Sequence, residues 1–267
     1  MRFHDSRQVV RTYLLTIWLP AVKATVRQIT YATYKTLCTQ HIIVELGSMQ
    51  LQHLTGARIN AVYAKLLEKG KVHGEGALSP ASVRRVHACL HRALRDAVRW
   101  EYLAINPVDA ADPTRERSEH RKLPAWNSGQ LIAFLTFMKN DRLFALWRLL
   151  AMTGCRRGEA LGLRWENVDM HAGTITICQA LVPVGKQVVI SEPKTSRGRR
   201  TIALDPVTLE ALKAHAARQA DEQSEWGEAW TDTGYVFVHE DGQPLHPERT
   251  PGRLSGICWR QRPEELR

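Results

Sequence analysis

Apolar residues recur three and four positions apart through most of the first hundred residues. That is the spacing of helices with one buried face. The pattern predicts a helix over residues 9–18, closed by Pro20, and another over 30–43, closed near Gly47. Thr55 is placed to cap a helix over 57–69, with Gly70 as its stop. Ser79-Pro80 is a cap followed by a proline at the first helical position, opening a helix to about Trp100. No convincing strand interrupts these helices. Residues 106–124 then break the pattern with Pro107, Pro113 and Pro124, mixed charges and almost no large apolar side chain. The reading is a small all-α domain over 8–105, a linker over 106–124 and a second domain over 125–267.

The second domain mixes periods. Asn127-Ser128 caps a helix through Met138, a second apolar helix covers 143–152, and a third runs over 156–163. Short β-type runs follow at 174–178, 187–190 and 200–204, separated by Gly173, Gly185 and Gly198. Asp205-Pro206 caps a helix to about Ala220, and 235–238 reads as one more short strand. The expectation is mainly α overall: an all-α domain, then an α+β domain with a small antiparallel sheet.

Composition narrows the class. Hydrophobic residues make 44% of the chain and charged residues 24%, which is globular and not disordered. No apolar run reaches the roughly 18–20 residues of a membrane span; the longest, 143–152, is interrupted by Arg148. The N-terminus has no signal-peptide pattern. Five scattered cysteines, with no C-x-x-C pair, predict a cytoplasmic protein without disulfides or structural zinc. Neither a metal nor a cofactor is expected.

Net charge is +10, which makes a polyanion such as nucleic acid the first candidate partner. The helix from Pro80 carries the sharpest charge pattern. At about 100° per residue, Val83, Val86, Leu90, Ala93, Leu94 and Ala97 fall on one side. Arg84, Arg85, Arg92, Arg95 and Arg99 fall on the other, offset only by Asp96. Solvated faces usually mix signs, and arginine suits bidentate phosphate contact. A plain solvated basic face would carry the same residues.

Two further segments could carry chemistry. Residues 153–169, TGCRRGEALGLRWENVD, place Arg156 just after a tight turn and Glu159 three residues later on the same helix face. A surface Arg–Glu pair would look the same and contribute little. Residues 192–200, EPKTSRGRR, gather Lys194, Arg197, Arg199 and Arg200 between two β-type runs, read as a hairpin tip; a solvated turn is the alternative for each.

The pattern T-G-x-R-x-G-E-x-L-x-L-x-W-x-x-V-D resembles the first active-site box of tyrosine recombinases of the phage integrase type. P-K-T-x-x-x-x-R-x-I-x-L resembles their β-hairpin lysine segment. Leu19-Pro-Ala-Val, Tyr31-Ala-Thr-Tyr and Leu78-Ser-Pro-Ala-Ser-Val-Arg-Arg resemble the family's helical core-binding, SAM-like domain. The resemblance implies an enzyme that cuts and rejoins duplex DNA through a 3′-phosphotyrosyl link. Two arginines hold the non-bridging oxygens, and a lysine protonates the leaving 5′-oxygen. By position, Arg156 is the first arginine, Lys194 the general acid and Glu159 the acidic residue supporting the arginines. Arg84, Arg85, Arg92, Arg95, Arg99, Arg197 and Arg199 are the expected DNA contacts. The two domains are expected to close on an attachment-type site as a C-shaped clamp, with a homo-oligomer on the DNA.

The chain departs from the family after Gly242–Leu245. The second box, H-x-L-R-H, and the tyrosine beyond it are not found; the tyrosines are 13, 31, 34, 63, 102 and 235. His246-Pro-Glu-Arg249 matches H-x-x-R by letter but reads as a turn. The expectation is a catalytic domain incomplete at its C-terminus and an inactive chain, with a DNA-binding remnant as the alternative function. A helical transcription regulator with a coincidental arginine box is the reading from another class. It needs both boxes to be accidents in the right order.

Overall fold

The computed structural model describes residues 8–71, 76–113, 126–185, 187–192 and 198–249. The chain divides into two units, Met1–Leu123 and Pro124–Arg267, each with its own hydrophobic core. The fold is mainly helical with small antiparallel sheets, as the periodicity predicts. Among the described residues no helix is long and apolar enough to cross a membrane.

The described residues of the first unit form four helices. Helix α1 spans 10–23 and contains a π segment, Tyr13–Trp18. The pattern placed its end at Pro20, but the helix runs on to Lys23. Proline lacks an N–H and crowds the carbonyl four residues back. The wide π turn, in which the Leu19 N–H reaches the Leu14 carbonyl, opens the ladder just where that carbonyl would be crowded. Helix α2 spans 28–46 and also has a π segment, Cys38–Ile42. Helix α3 is Gly56–Lys69, capped by Thr55, whose hydroxyl accepts from the Arg58 N–H at 3.3 Å.

Helix α4, Pro80–Arg99, is capped by Ser79. Val83, Val86, Leu90, Ala93, Leu94 and Ala97 are all buried, as their spacing predicts. The tract expected as linker, 106–124, begins as part of this core. Pro107–Ala110 forms a 3-10 turn that buries Pro107 and Val108. It packs so close that a Cβ on Gly56 would stand 2.3 Å from the Ala110 carbonyl oxygen. Composition suggests a linker because the segment is proline-rich, yet Pro107, Val108 and Ala111 fold in.

The second unit starts with α5, Ser128–Phe137, held by a reciprocal cap between Asn127 and Gln130. Helix α6 is Phe144–Thr153 and α7 is Arg157–Leu161. A three-stranded antiparallel sheet has the order β1-β2-β5, formed by Val168–Asp169, Thr174–Ile177 and Arg200–Ala203. A separate two-stranded sheet joins β3, Ala180–Val184, to β4, Gln187–Ser191. Two expectations change here. Strand β3 was not foreseen, because Pro183 disfavours a strand; it is tolerated in a two-stranded ribbon, where it needs no second ladder. The hairpin is therefore β3–β4; β4 and β5 belong to different sheets, and Lys194, expected at a hairpin tip, lies outside the described residues. Residues 235–238 make isolated bridges, Arg164 with Tyr235 and Val238 with Pro244, instead of a strand. Helix α8, Pro206–Trp226, is capped by Asp205 and runs farther than the pattern predicts.

Candidate functional site

The turn between α6 and α7 sets the site. Gly154 ends α6 in the left-handed conformation, φ 62°, which glycine adopts without a side-chain clash. Cys155 is buried beyond it, and Arg156 is the cap residue of α7, with extended backbone. The Arg156 N–H therefore has no helical acceptor and donates instead to Glu159 Oε2 at 2.9 Å. Its guanidinium Nη1 donates to Glu159 Oε1, also at 2.9 Å.

A second guanidinium reaches the same carboxylate. Arg200 opens β5 opposite Ile177 of β2. Its Nη2 donates to Glu159 Oε2 at 2.7 Å and its Nη1 to Oε1 at 3.3 Å. Glu159 is buried, which alone would push its carboxyl pKa up; the hydrogen bonds from Arg200 and from the Arg156 backbone and side chain outweigh this and hold it at about 2. Glu159 is thus a fixed anion and not a proton donor at neutral pH. Two cations on one anion leave the cluster one positive charge in excess. The Arg156 side chain is 81% exposed while its inner edge is pinned. A pinned, exposed guanidinium is suited to holding a phosphate oxygen. Burial raises the Cys155 thiol pKa, so it is no ready nucleophile. Among the described residues no group of histidine, cysteine and carboxylate side chains could hold a metal ion.

The expected DNA face of α4 is present but less uniform than its letters imply. Arg84, Arg85, Arg95 and Arg99 are exposed and Arg92 is half-buried. Asp96, expected among them on the surface, is buried. Trp18 Nε1 donates to its Oδ2 at 3.0 Å and Arg92 Nε to the same oxygen at 3.1 Å. Arg99 lies 3.2 Å from Oδ1 and stacks over Trp100. Arg92 and Arg99 therefore neutralise a buried carboxylate, and the five arginines are not unopposed. Arg199 is exposed, while Lys194 and Arg197 lie outside the described residues. His246 serves a turn, its Nδ1 accepting the Glu248 N–H at 3.2 Å.

Residues 127–266 match the Phage integrase family, and residues 12–67 match the phage integrase N-terminal SAM-like domain. The chain belongs to the phage integrase family. It is 24% identical over 242 residues to the ICEBs1 integrase of Bacillus subtilis, and 26% identical over 263 residues to the XerC-like tyrosine recombinase of Caldanaerobacter subterraneus. Each match takes in 90% of this chain but only 63% and 64% of the relative, so the chain spans less than two thirds of either. In fold it is similar to the Tn1549 transposon integrase in complex with a circular intermediate DNA, with a TM-score of 0.73 and 20% identity over 96% of this chain and 80% of that one. It is also similar to a lambda integrase dimer bound to a COC′ core site, with a TM-score of 0.57 and 16% identity over 91% of this chain and 60% of that one.

Of the residues read from the integrase boxes, the structure brings Arg156 and Glu159 together as expected. It adds Arg200, which the sequence offered only as one of several loop charges. Its signal was the fixed place of that arginine six residues after Lys194 in the lysine segment.

Proposed function

We propose that this chain acts in site-specific DNA recombination, binding duplex DNA at an attachment-type site for strand cleavage and rejoining by the tyrosine-recombinase route. The observation that carries the reading is the buried Glu159 carboxylate holding Arg156 and Arg200, with Arg156 turned to solvent. In that role Arg156 binds a non-bridging oxygen of the scissile phosphodiester as charge builds in the transition state. Glu159 and Arg200 fix its position. Lys194 protonates the leaving 5′-oxygen. Arg84, Arg85, Arg95, Arg197 and Arg199 contact backbone phosphates, and protomers assemble on the DNA, in the cytoplasm.

A second reading concerns the 267-residue polypeptide by itself, and a specific observation favours it. Tyr235 is buried, with the Arg164 guanidinium stacked on its ring at 5.1 Å. The other five tyrosines precede residue 103, in the helical unit. Tyr235 is the second unit's tyrosine, and buried it is not free to attack a phosphate held by Arg156. The polypeptide is therefore a DNA-binding protein that does not form the covalent link unaided. Incubation with a nicked attachment-type duplex, followed by denaturing electrophoresis, tests this. Retention of DNA in native gels without a covalent adduct is the expected result; an adduct would overturn the second reading, and loss of DNA binding both readings.

A further inference from the structure

Between Arg218 and Arg249 the sequence holds no lysine or arginine, yet it has acidic residues at 221, 222, 225, 228, 232, 240, 241 and 248. In a chain of net charge +10 this is a sharp reversal of sign. The same stretch forms most of a cavity of about 250 Å³ in the second unit, between α8 and residues 230–235. Trp165, Trp230 and Tyr235 give it three aromatic walls, and Ala216 and Ala220 of α8 leave the room. Asp232 lines it and is exposed.

The walls are preset. Gln219 is buried and uses both ends of its amide: Oε1 accepts from Trp165 Nε1 at 2.6 Å, and Nε2 donates to the Tyr235 carbonyl at 3.2 Å. Asp232 is fixed by accepting the Gly234 N–H at 3.1 Å. One wall already takes a guanidinium, since Arg164 stacks on Tyr235.

The chemistry of the slot selects its occupant. Like charge keeps a nucleic acid backbone off an acidic surface. A single lining carboxylate among indoles is a poor cage for a metal ion, which wants several hard donors. The volume falls below the about 300 Å³ where ordinary small-molecule sites begin. A flat, weakly hydrated cation fits all of these features, because indole faces attract it and a guanidinium can at once bond a carboxylate. We propose that this slot docks an arginine side chain on a basic segment of a partner protein. The slot shares no residue with the Arg156 cluster. Partner docking and phosphate contact therefore use different surfaces of the same unit.

The test titrates the full chain with an acetylated nonapeptide bearing three arginines spaced by glycine and serine, and with the same peptide carrying citrulline. Citrulline keeps the shape and removes the charge. The readout is the indole N–H signals of Trp165 and Trp230. The arginine peptide is expected to shift both signals, and the citrulline peptide to bind about tenfold more weakly. Asp232→Asn keeps an acceptor for the Gly234 N–H, so the turn survives; it should weaken binding about threefold or more. Trp230→Ala should lose the Trp165 shift. The pair Asp221→Asn and Glu225→Gln, across α8 from Ala216 and Ala220 by helical spacing, should leave affinity within about twofold. Equal binding of the citrulline peptide would overturn the proposal by showing that the cation is not what the slot recognises, and a loss in that pair as large as in Asp232→Asn would overturn it in favour of diffuse attraction. Displacement by the arginine peptide of a concentration-dependent self-association seen in sedimentation would overturn it in favour of a second copy as occupant.

Discussion

At the scale of single residues, one carboxylate organises the Arg156 cluster. Glu159→Gln removes the anion and leaves Arg156 and Arg200 facing each other. Breaking a fully buried pair costs about 3–5 kcal/mol, and here water around Arg156 and part of Arg200 reduces this to about 2 kcal/mol. Urea unfolding at pH 7 reads that loss. The carboxyl is held at about 2, well below the 4.5 of an unperturbed glutamate. Its contribution is complete above about pH 4.5 and drains away as pH falls toward 2. The variant should therefore show a flatter stability profile over that window, and an unchanged slope would refute the ion-pair account. Arg156 and Glu159 were legible in the sequence because a three-residue separation from helix cap to third helical residue fixes their proximity locally. Arg200 had a place in the lysine segment, but its contact with Glu159 was not legible, because that approach depends on β5 pairing with β2 across more than twenty intervening residues. Cross-strand register of that kind is set by tertiary packing, not by the letters between.

At the scale of elements, α4 shows what a helical pattern determines and what it leaves open. Periodicity placed its six apolar residues inward correctly. It also placed Asp96 with the arginines, at the edge of the buried face, and only the fold reveals that Trp18 from α1 draws that carboxylate inside. The arginines then split by role. Arg85→Ala with Arg95→Ala is expected to weaken duplex binding and to reduce the slope of log affinity against log salt by about 2, one released phosphate contact per arginine. Arg92→Ala should leave the salt slope nearly unchanged and lower stability by about 1–2 kcal/mol, since it removes one of the two guanidinium partners of buried Asp96 and leaves Arg99 and Trp18. Fluorescence anisotropy at several salt concentrations, paired with urea melts, separates the two; a salt-slope loss as large for Arg92→Ala would contradict the split. Helix α7 offers a second case. A Cβ on Gly158 would stand 2.5 Å from the Leu181 carbonyl oxygen of β3. Gly158→Ala should then lift α7 from β3, cost about 1–3 kcal/mol and move the Arg156 amide signal. Gly129→Ala in the first turn of α5, where the new methyl meets only the Asn127 side chain at 3.4 Å, should do neither. Strand β3 itself was hidden from the sequence by Pro183, just as the end of α1 was misread from Pro20. In both places proline's local rule is correct, and a neighbouring irregularity, a two-stranded ribbon or a π turn, removes its cost.

At the scale of the whole molecule, two separate cores make acid sensitivity a property of each unit. Burial lowers the pKa of His41 and His87 in the first unit and of His215 in the second. His215 donates Nε2–H to the Val236 carbonyl at 2.8 Å, so its buried Nδ1 is the unprotonated nitrogen and has no partner. A histidine whose folded pKa lies below its unfolded value costs stability as pH falls through the unfolded value, about 6.5. Both units should therefore weaken together between about pH 7 and 5.5. Below pH 4.5 the second unit carries a further cost. Glu159 is held at about 2 by Arg200 and Arg156, and Asp205 at about 2 by Thr208 and Arg148, each against the upward push of burial. Both belong to the second unit. From pH 4.5 toward 2 the second unit therefore has these two carboxylates to protonate. Hydrogen exchange read by mass spectrometry on the full chain distinguishes the units by peptide. Peptides from α6 and β2 should be less protected at pH 3.5 than at pH 6, and Glu159→Gln should shrink that difference. An undiminished difference in the variant would mean that the Glu159 ion pairs do not carry the acid loss.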